Sequence, residues 1–212
     1  MLRLPVHDCG DCELGAAGAC VFARKTVEPD ALIILQGAVS AEVSFVRRGV
    51  IALSTVSRSG DQTWAAVRGP RSLLGVEAVT GATSACEVRA LTEVEICSAT
   101  VPVVKTWLDS AGGARALFDL TLTELLEHRR DVNFQTGTAE ARVARFAISC
   151  ERYIATASRE RPLSKARVAA LVGMRPETLS RVLHRFSERG YLDSSAGVRV
   201  LNRAALEALA EG

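Results

Sequence analysis

Long apolar runs are missing from this 212-residue chain: no stretch of eighteen residues is free of both charge and glycine, which leaves nothing to span a membrane as a helix. The segment Met1 to Gly15 has no apolar run of the kind a secretion signal needs, so the expected location is cytoplasmic, with no membrane partner. Histidine is scarce, at three residues, and none accompanies a nucleophile motif, a Walker phosphate loop or a dinucleotide-binding glycine fingerprint. An enzyme is not expected. The net charge is only +2, from 26 Lys and Arg against 24 Asp and Glu. That balance conceals an asymmetry, because residues 1–138 hold 13 basic and 16 acidic residues, net −3, and residues 139–212 hold 13 and 8, net +5. A basic last third on an acidic remainder points to a polyanionic partner at that end.

Strand signals fill the first half. Short alternating or apolar runs occur at Ala41-Glu-Val-Ser-Phe-Val, Val50-Ile-Ala-Leu-Ser-Thr-Val, Thr63-Trp-Ala-Ala-Val and Val94-Glu-Ile-Cys. Turn residues at Arg48-Gly49, Ser59-Gly60-Asp61, Gly69-Pro70 and Gly81 separate them, a rhythm suited to a small antiparallel barrel or roll. After Gly112-Gly113 the period becomes helical: Phe118, Leu122, Leu125, Arg129 and Val132 recur at spacings of four, three, four and three. That is a coiled-coil seam, for which dimerisation is expected. A further helix from about Ala139 to Thr156 carries Val143, Phe146, Ala147 and Cys150 on one face, where Cys150 reads as a small buried hydrophobe.

The most specific pattern lies between Pro162 and Leu201. Ser164 can cap a helix that ends at Val172, Gly173 breaks it, Pro176 opens a second helix, and Gly190 ends that one. Tyr191-Leu-Asp, a turn at Ser194 to Gly197 and Val198-Arg-Val-Leu then read as a wing. The second helix divides into an apolar side, Leu179, Val182, Leu183 and Phe186, and a polar side, Glu177, Ser180, Arg181 and His184. Arg181 suits guanine, Glu177 can accept from cytosine N4, and Ser180 reaches a neighbouring base. Arg175, Arg185, Arg189, Lys165 and Arg167 are the expected phosphate contacts.

The run Leu163-Ser-Lys-Ala-Arg-Val-Ala-Ala-Leu-Val-Gly-Met-Arg-Pro-Glu-Thr-Leu-Ser-Arg-Val-Leu-His-Arg-Phe, followed by Gly190-Tyr-Leu, resembles the winged helix of the Crp/Fnr superfamily of bacterial transcription regulators. Ala139-Glu-Ala-Arg-Val-Ala-Arg-Phe resembles the family's segment after its dimer helix, and Phe45-Val-Arg-Arg-Gly-Val-Ile and Ser59-Gly-Asp-Gln resemble its roll. The resemblance implies an α+β chain with four parts: a cysteine-rich segment over 1–30, a jelly-roll-like sensory domain over 31–112, a dimerisation helix over 113–137, and a winged helix-turn-helix over 138–212. It also implies a homodimer on palindromic double-stranded DNA with TTGAT-like half-sites, because Glu177, Ser180 and Arg181 match the Glu-x-x-Ser-Arg pattern of the Fnr branch. Pro176 stands where that branch usually carries Val. RNA polymerase is the implied further partner. Glu127 falls near the acidic position whose repulsion keeps cluster-free Fnr proteins monomeric.

Crp-type rolls hold a cyclic nucleotide with a Gly-Glu pair and a following Arg-Ser or Arg-Thr pair. Gly75-Val-Glu77 is followed here by Thr83-Ser84, without that arginine, which argues against a cyclic nucleotide. The six cysteines are better suited to metal or redox chemistry than to disulfides. Cys9, Cys12 and Cys20 form C-x2-C-x7-C among small residues. The Fnr branch resembles this, with three clustered cysteines and a fourth on a roll strand holding an oxygen-labile [4Fe–4S] cluster, responsive also to nitric oxide. Strand alternation sets Cys97 on the side of Glu93 and Glu95, available as the fourth ligand, and Cys86 on the side of Val88 and Ala90, in the core. Cys86, Asp8 or His7 as a replacement ligand, structural zinc, a dithiol switch and a plain electron-transfer iron–sulfur protein stay open as alternatives.

Overall fold

The computed structural model describes residues 20–60, 62–131, 136–154, 164–193 and 198–211, with backbone alone at 127–131 and 152–154. Eight strands form two antiparallel four-stranded sheets. They are β1 (Ala23–Val27), β2 (Leu32–Ile34), β3 (Glu42–Arg48), β4 (Ile51–Val56), β5 (Gln62–Arg68), β6 (Leu73–Leu74), β7 (Glu87–Ala90) and β8 (Val94–Thr100). The sheet orders are β1-β8-β3-β6 and β2-β7-β4-β5, a jelly-roll arrangement in which neighbouring strands in space are mostly distant in sequence. The strand signals of the sequence fall on β3, β4, β5 and β8. The roll takes in Ala23–Val27, which pairs with β8 from Ala23 opposite Ser98 to Val27 opposite Val94, so it begins earlier than residue 31.

Between the sheets lies an apolar core of Ile34, Val46, Ile51, Leu74, Val88, Ala90, Val94 and Ile96, all buried. The tight turn from β3 to β4 brings Gly49 against the chain at residues 93–94. Its φ is 87°, and a Cβ there would lie 2.2 Å from the Glu93 carbonyl oxygen, so only glycine fits.

The first sheet is covered on its outer side too. Helix α1 (Val101–Leu108) follows β8 directly, and α2 (Ala111–Asp131) folds back beside it. The turn between them is tight: a Cβ on Gly113 would lie 2.2 Å from the Trp107 carbonyl oxygen. Phe22, Val43, Phe45, Cys97, Ala99, Trp107 and Leu120 share the resulting core, with Phe22 and Trp107 in an edge-to-face contact at 5.5 Å between ring centroids.

Covering both faces of the first sheet overturns one expectation. Cys97 is 3% exposed and sits in the outer core, whereas Cys86 is half-buried. Alternation correctly separates Cys97 from Val94 and Ile96, but the side it faces is not solvent, because α1, α2 and the chain at Cys20 to Phe22 lie over it. Alternation distinguishes the two faces of a strand and leaves open whether both are buried.

The second sheet is covered by the C-terminal half. Helices α3 (Ala139–Ile154), α4 (Lys165–Leu171) and α5 (Pro176–Glu188), the two-stranded ribbon β9 (Leu192–Asp193) and β10 (Arg199–Val200), and α6 (Arg203–Glu211) form a winged helix. Its core of Val143, Phe146, Leu171, Leu179, Val182 and Phe186 is continuous with Val50, Ala52, Val67 and Leu91 of the roll. Cys150 is fully buried in that core, as a small hydrophobe should be, and burial pushes its thiol pKa well up. Leu120→Ala should lower unfolding stability by about 2–5 kcal/mol in denaturant titrations at fixed protein concentration; a loss below about 1 kcal/mol would place Leu120 outside the Phe22–Trp107 core.

Candidate functional site

Ser164 precedes α4 in extended conformation and its side chain accepts the Arg167 backbone N–H at 3.3 Å, so the cap expected from sequence forms. Gly173 has a positive φ of 63°, and Pro176 occupies the first turn of α5. Between these elements Arg142 of α3 donates to the Gly173 carbonyl at 2.9 Å. This contact ties the turn of the helix-turn-helix to the domain's long helix, and the sequence pattern did not single it out.

Helix α5 buries Leu179, Val182, Leu183 and Phe186, the apolar side expected from sequence. On the other side Glu177, Arg181, His184 and Arg185 are exposed and Ser180 is half-buried. His184 Nε2 lies 3.4 Å from the Glu188 carboxylate. Lys165 and Arg175 are exposed at the N-terminal ends of α4 and α5, and at α5 the helix dipole adds attraction for an anion such as a phosphate. Two of the expected phosphate contacts already have acidic partners: Arg185 pairs with Glu140 of α3, and Arg167 pairs with Asp30 of the roll. The strands of the wing pair from Leu192 opposite Val200 to Asp193 opposite Arg199, while the turn at 194–197 lies outside the described residues.

On α2 the seam residues Phe118, Leu122 and Leu125 are 63%, 43% and 47% exposed, joined by Leu126 at 48%. Leu120 is buried and Ala116 and Leu117 pack against the same core, so the helix has one face on the roll and one apolar face turned outward. Exposed leucines and a phenylalanine concentrated on one helix are the mark of an interface. Arg129 and Glu127 lie in α2 where only the backbone is described, and Val132 lies outside the described residues.

The thiols divide between the two sides of the roll. Cys20 is half-buried and packs on the outer core that contains Cys97, so two of the four expected ligands border one apolar region. Cys9 and Cys12 lie outside the described residues, and among the described residues no group of three or more metal-ligating side chains occurs. Cys12 precedes Cys20 by eight residues, a tether of at most about 28 Å. Cysteine sulfur is a donor suited to an iron–sulfur group, and on this side of the roll the described residues bring two such sulfurs, of Cys20 and Cys97, to one apolar core.

Near Cys86, Gly75 precedes a 3₁₀ turn at Val76–Thr80 that contains Glu77, and Ser84 is buried and donates to the Cys86 carbonyl at 2.9 Å. The roll does contain a buried cation, which an Arg-Ser or Arg-Thr pattern does not reveal because it comes from β5. Arg68 is 2% exposed and pairs with Glu124 of α2. Burial, then the Glu77 charge, pushes the Cys86 thiol pKa up, against smaller opposing effects of the Ser84 hydrogen bond and Arg68.

A winged helix with its recognition face open, carried beside a helix with an apolar outward face, is the build of a DNA-binding regulator. Two family models match the chain: a cyclic nucleotide-binding domain over residues 24–110 and a Crp-like helix-turn-helix domain over residues 141–209. The chain belongs to the Crp/Fnr family of DNA-binding transcription regulators, which work as dimers. Among solved structures it is similar to FixK2 from Bradyrhizobium japonicum, at 22% identity over 89% of this chain and 97% of that one, with a TM-score of 0.73. It is also similar to a CRP-family transcriptional regulator from Thermus thermophilus, at 19% identity over 89% and 97%, with a TM-score of 0.71. The c-di-GMP-responsive global regulator CLP from Xanthomonas campestris shares 16% identity over 92% and 99%, with a TM-score of 0.65. At these identities the likeness shows the fold. No curated protein matches the chain in sequence. No helix among the described residues is long and apolar enough to cross a membrane.

The raised Cys86 pKa sets a reactivity order. Iodoacetamide adducts at Cys86, followed by mass spectrometry, should form slowly at neutral pH and keep accelerating beyond the ordinary thiol value of about 8.5; a rate that levels off below about pH 8 would contradict the burial and charge around that thiol.

Proposed function

We propose that this regulator is an Fnr-type sensor of oxygen or nitric oxide. In this reading a [4Fe–4S] cluster is held by Cys9, Cys12, Cys20 and Cys97. The observation that carries the sensing half is the placement of Cys20 and Cys97 at the same apolar core, directly over α1 and α2. When bound, such a group supplies a crosslink between the N-terminal segment and β8 that oxygen or nitric oxide can destroy. The chain's own part is mechanical: Phe22, Trp107 and Leu120 pack around Cys97, so bracing or releasing the segment at Cys20 bears directly on α2. Phe118, Leu122 and Leu125 then form the seam with a second copy, continued by Arg129 and Val132, with Glu127 opposing association when the brace is lost.

For DNA the reading assigns Glu177, Ser180 and Arg181 to base edges of a TTGAT-like half-site. His184 shares the polar face of α5 with them, Lys165, Arg175, Arg185 and Arg189 follow the backbone, and Arg167 joins these once its pairing with Asp30 is exchanged for phosphate. A dimer presents two such faces to a palindrome, with RNA polymerase as the partner at the promoter. A cyclic nucleotide is not part of this reading, since the buried cation of the roll is already matched by a carboxylate of the chain.

Two experiments test the halves separately. Protein purified without air should carry iron and sulfide and a broad visible absorption that bleaches on exposure to air, and Cys97→Ser should lose both; colourless, iron-free wild-type protein would overturn the cluster and leave DNA binding standing. In competition binding, Arg181→Ala should lose about 1–3 kcal/mol of discrimination at the guanine, while Lys165→Ala weakens all sequences alike; equal loss on specific and random DNA for Arg181→Ala would remove it from base readout.

A further inference from the structure

Arg68 ends β5, the edge strand of the second sheet, and its side chain is 2% exposed. A guanidinium so far from water requires an anion and hydrogen-bond acceptors close by. One terminal nitrogen donates to the Val67 carbonyl at 3.1 Å, and Nε donates to Glu124 Oε2 at 3.4 Å. The other oxygen of the same carboxylate, Oε1, accepts the Leu73 backbone N–H at 3.2 Å. Leu73 opens β6, which is the edge strand of the first sheet. A single side chain of α2 therefore touches the edges of both sheets where they lie side by side. It neutralises a buried charge on one and satisfies an edge N–H on the other.

Position along the helix gives this contact its consequence. Leu120 is buried one turn before Glu124, so the two define the face of α2 that rests on the roll. Phe118, Leu122 and Leu125 are exposed on the other side. Ala116, Leu117 and Leu120 hold this face by apolar packing, which is non-directional; a carboxylate held by a guanidinium and a backbone N–H adds a directional constraint, because it cannot turn without losing both partners.

We infer that Glu124 is a positioning residue for dimerisation: its partly buried carboxylate clasps the two sheet edges to α2 and fixes which face of that helix meets a second copy. Arg68 is then matched by a carboxylate of the chain itself, and α2 takes its working orientation without a small anionic ligand there. The inference rests on the reading of the outward face of α2 as the dimer seam.

Sedimentation velocity over a concentration series, with palindromic-DNA binding in parallel, tests it on the full-length protein, with circular dichroism to establish that each variant is folded. Wild type should be a dimer, and Glu124→Ala and Glu124→Gln should each raise the dimer dissociation constant at least tenfold. Added formate should restore association of Glu124→Ala by supplying the missing anion, and should not restore Phe118→Ala, whose seam is damaged directly. Dissociation constants for both Glu124 variants within twofold of wild type would overturn the clasp while leaving the seam in place. So would a folded Glu124→Ala that weakens without any response to formate. A wild type that stays monomeric throughout the series would instead overturn the seam reading. Should Glu124→Ala fail to fold, Glu124→Gln, which keeps an acceptor for the Leu73 N–H but lacks the charge, gives the same decision through its dissociation constant.

Discussion

The first sheet of the roll is packed on both faces, and most of the molecule's arrangement depends on that constraint. One face meets the second sheet through Val46, Val94 and Ile96, and the other meets α1, α2 and the chain at Phe22 through Phe45, Cys97 and Trp107. A sheet with two apolar faces must be covered twice, and the second cover here is the helix that turns its remaining apolar side outward. Cys97 and the inner face of α2 thereby meet in a single core. Cys97 and Leu120 share that core, so in the proposed sensor a change at the thiol would reach α2 without a long path of intermediates. Interiors packed this densely pass displacements on rather than absorb them.

Charge organises the other half. The recognition helix faces outward with Arg181 and His184 exposed. The acidic first part of the chain reaches the winged helix at Asp30, which meets Arg167, while Arg185 meets Glu140 of α3 within the winged helix. These are partly exposed pairs, and such pairs contribute little to stability. Their effect falls on availability: an arginine held by a carboxylate must exchange that partner before it can follow a phosphate. The apolar contact of Val50, Ala52 and Val67 with the winged-helix core is what keeps Asp30 within reach of Arg167. Arg142, donating to the Gly173 carbonyl, adds a polar tie between the turn of the helix-turn-helix and α3.

Much of this was legible in the sequence where a local rule decides the outcome. Ser164, Gly173 and Pro176 specify caps and a turn through their own backbone chemistry, and the division of α5 into Leu179, Val182, Leu183 and Phe186 against Glu177, Arg181 and His184 follows from helical period alone. The same period found Phe118, Leu122 and Leu125. What it could not find depends on tertiary neighbours. Val101–Leu108 is short and includes a proline, and Arg203–Glu211 lies past the last recognised motif; both became helices that cover apolar surface. Alternation placed Cys97 on the correct side of β8, but only the presence of α1 and α2 makes that side an interior. Nothing in the sequence singles out Arg68, because its partner Glu124 is 56 residues away and no local pattern joins them.

In the proposed dimer the outward face of α2 sets two recognition helices in register, and DNA geometry reads that register most directly. Sites should be selected from random duplexes by the purified protein and then footprinted with hydroxyl radicals. Two symmetry-related protected half-sites, with centres about 10–10.5 base pairs apart and two chains bound per duplex, are the predicted result. A single protected half-site holding one chain would contradict it.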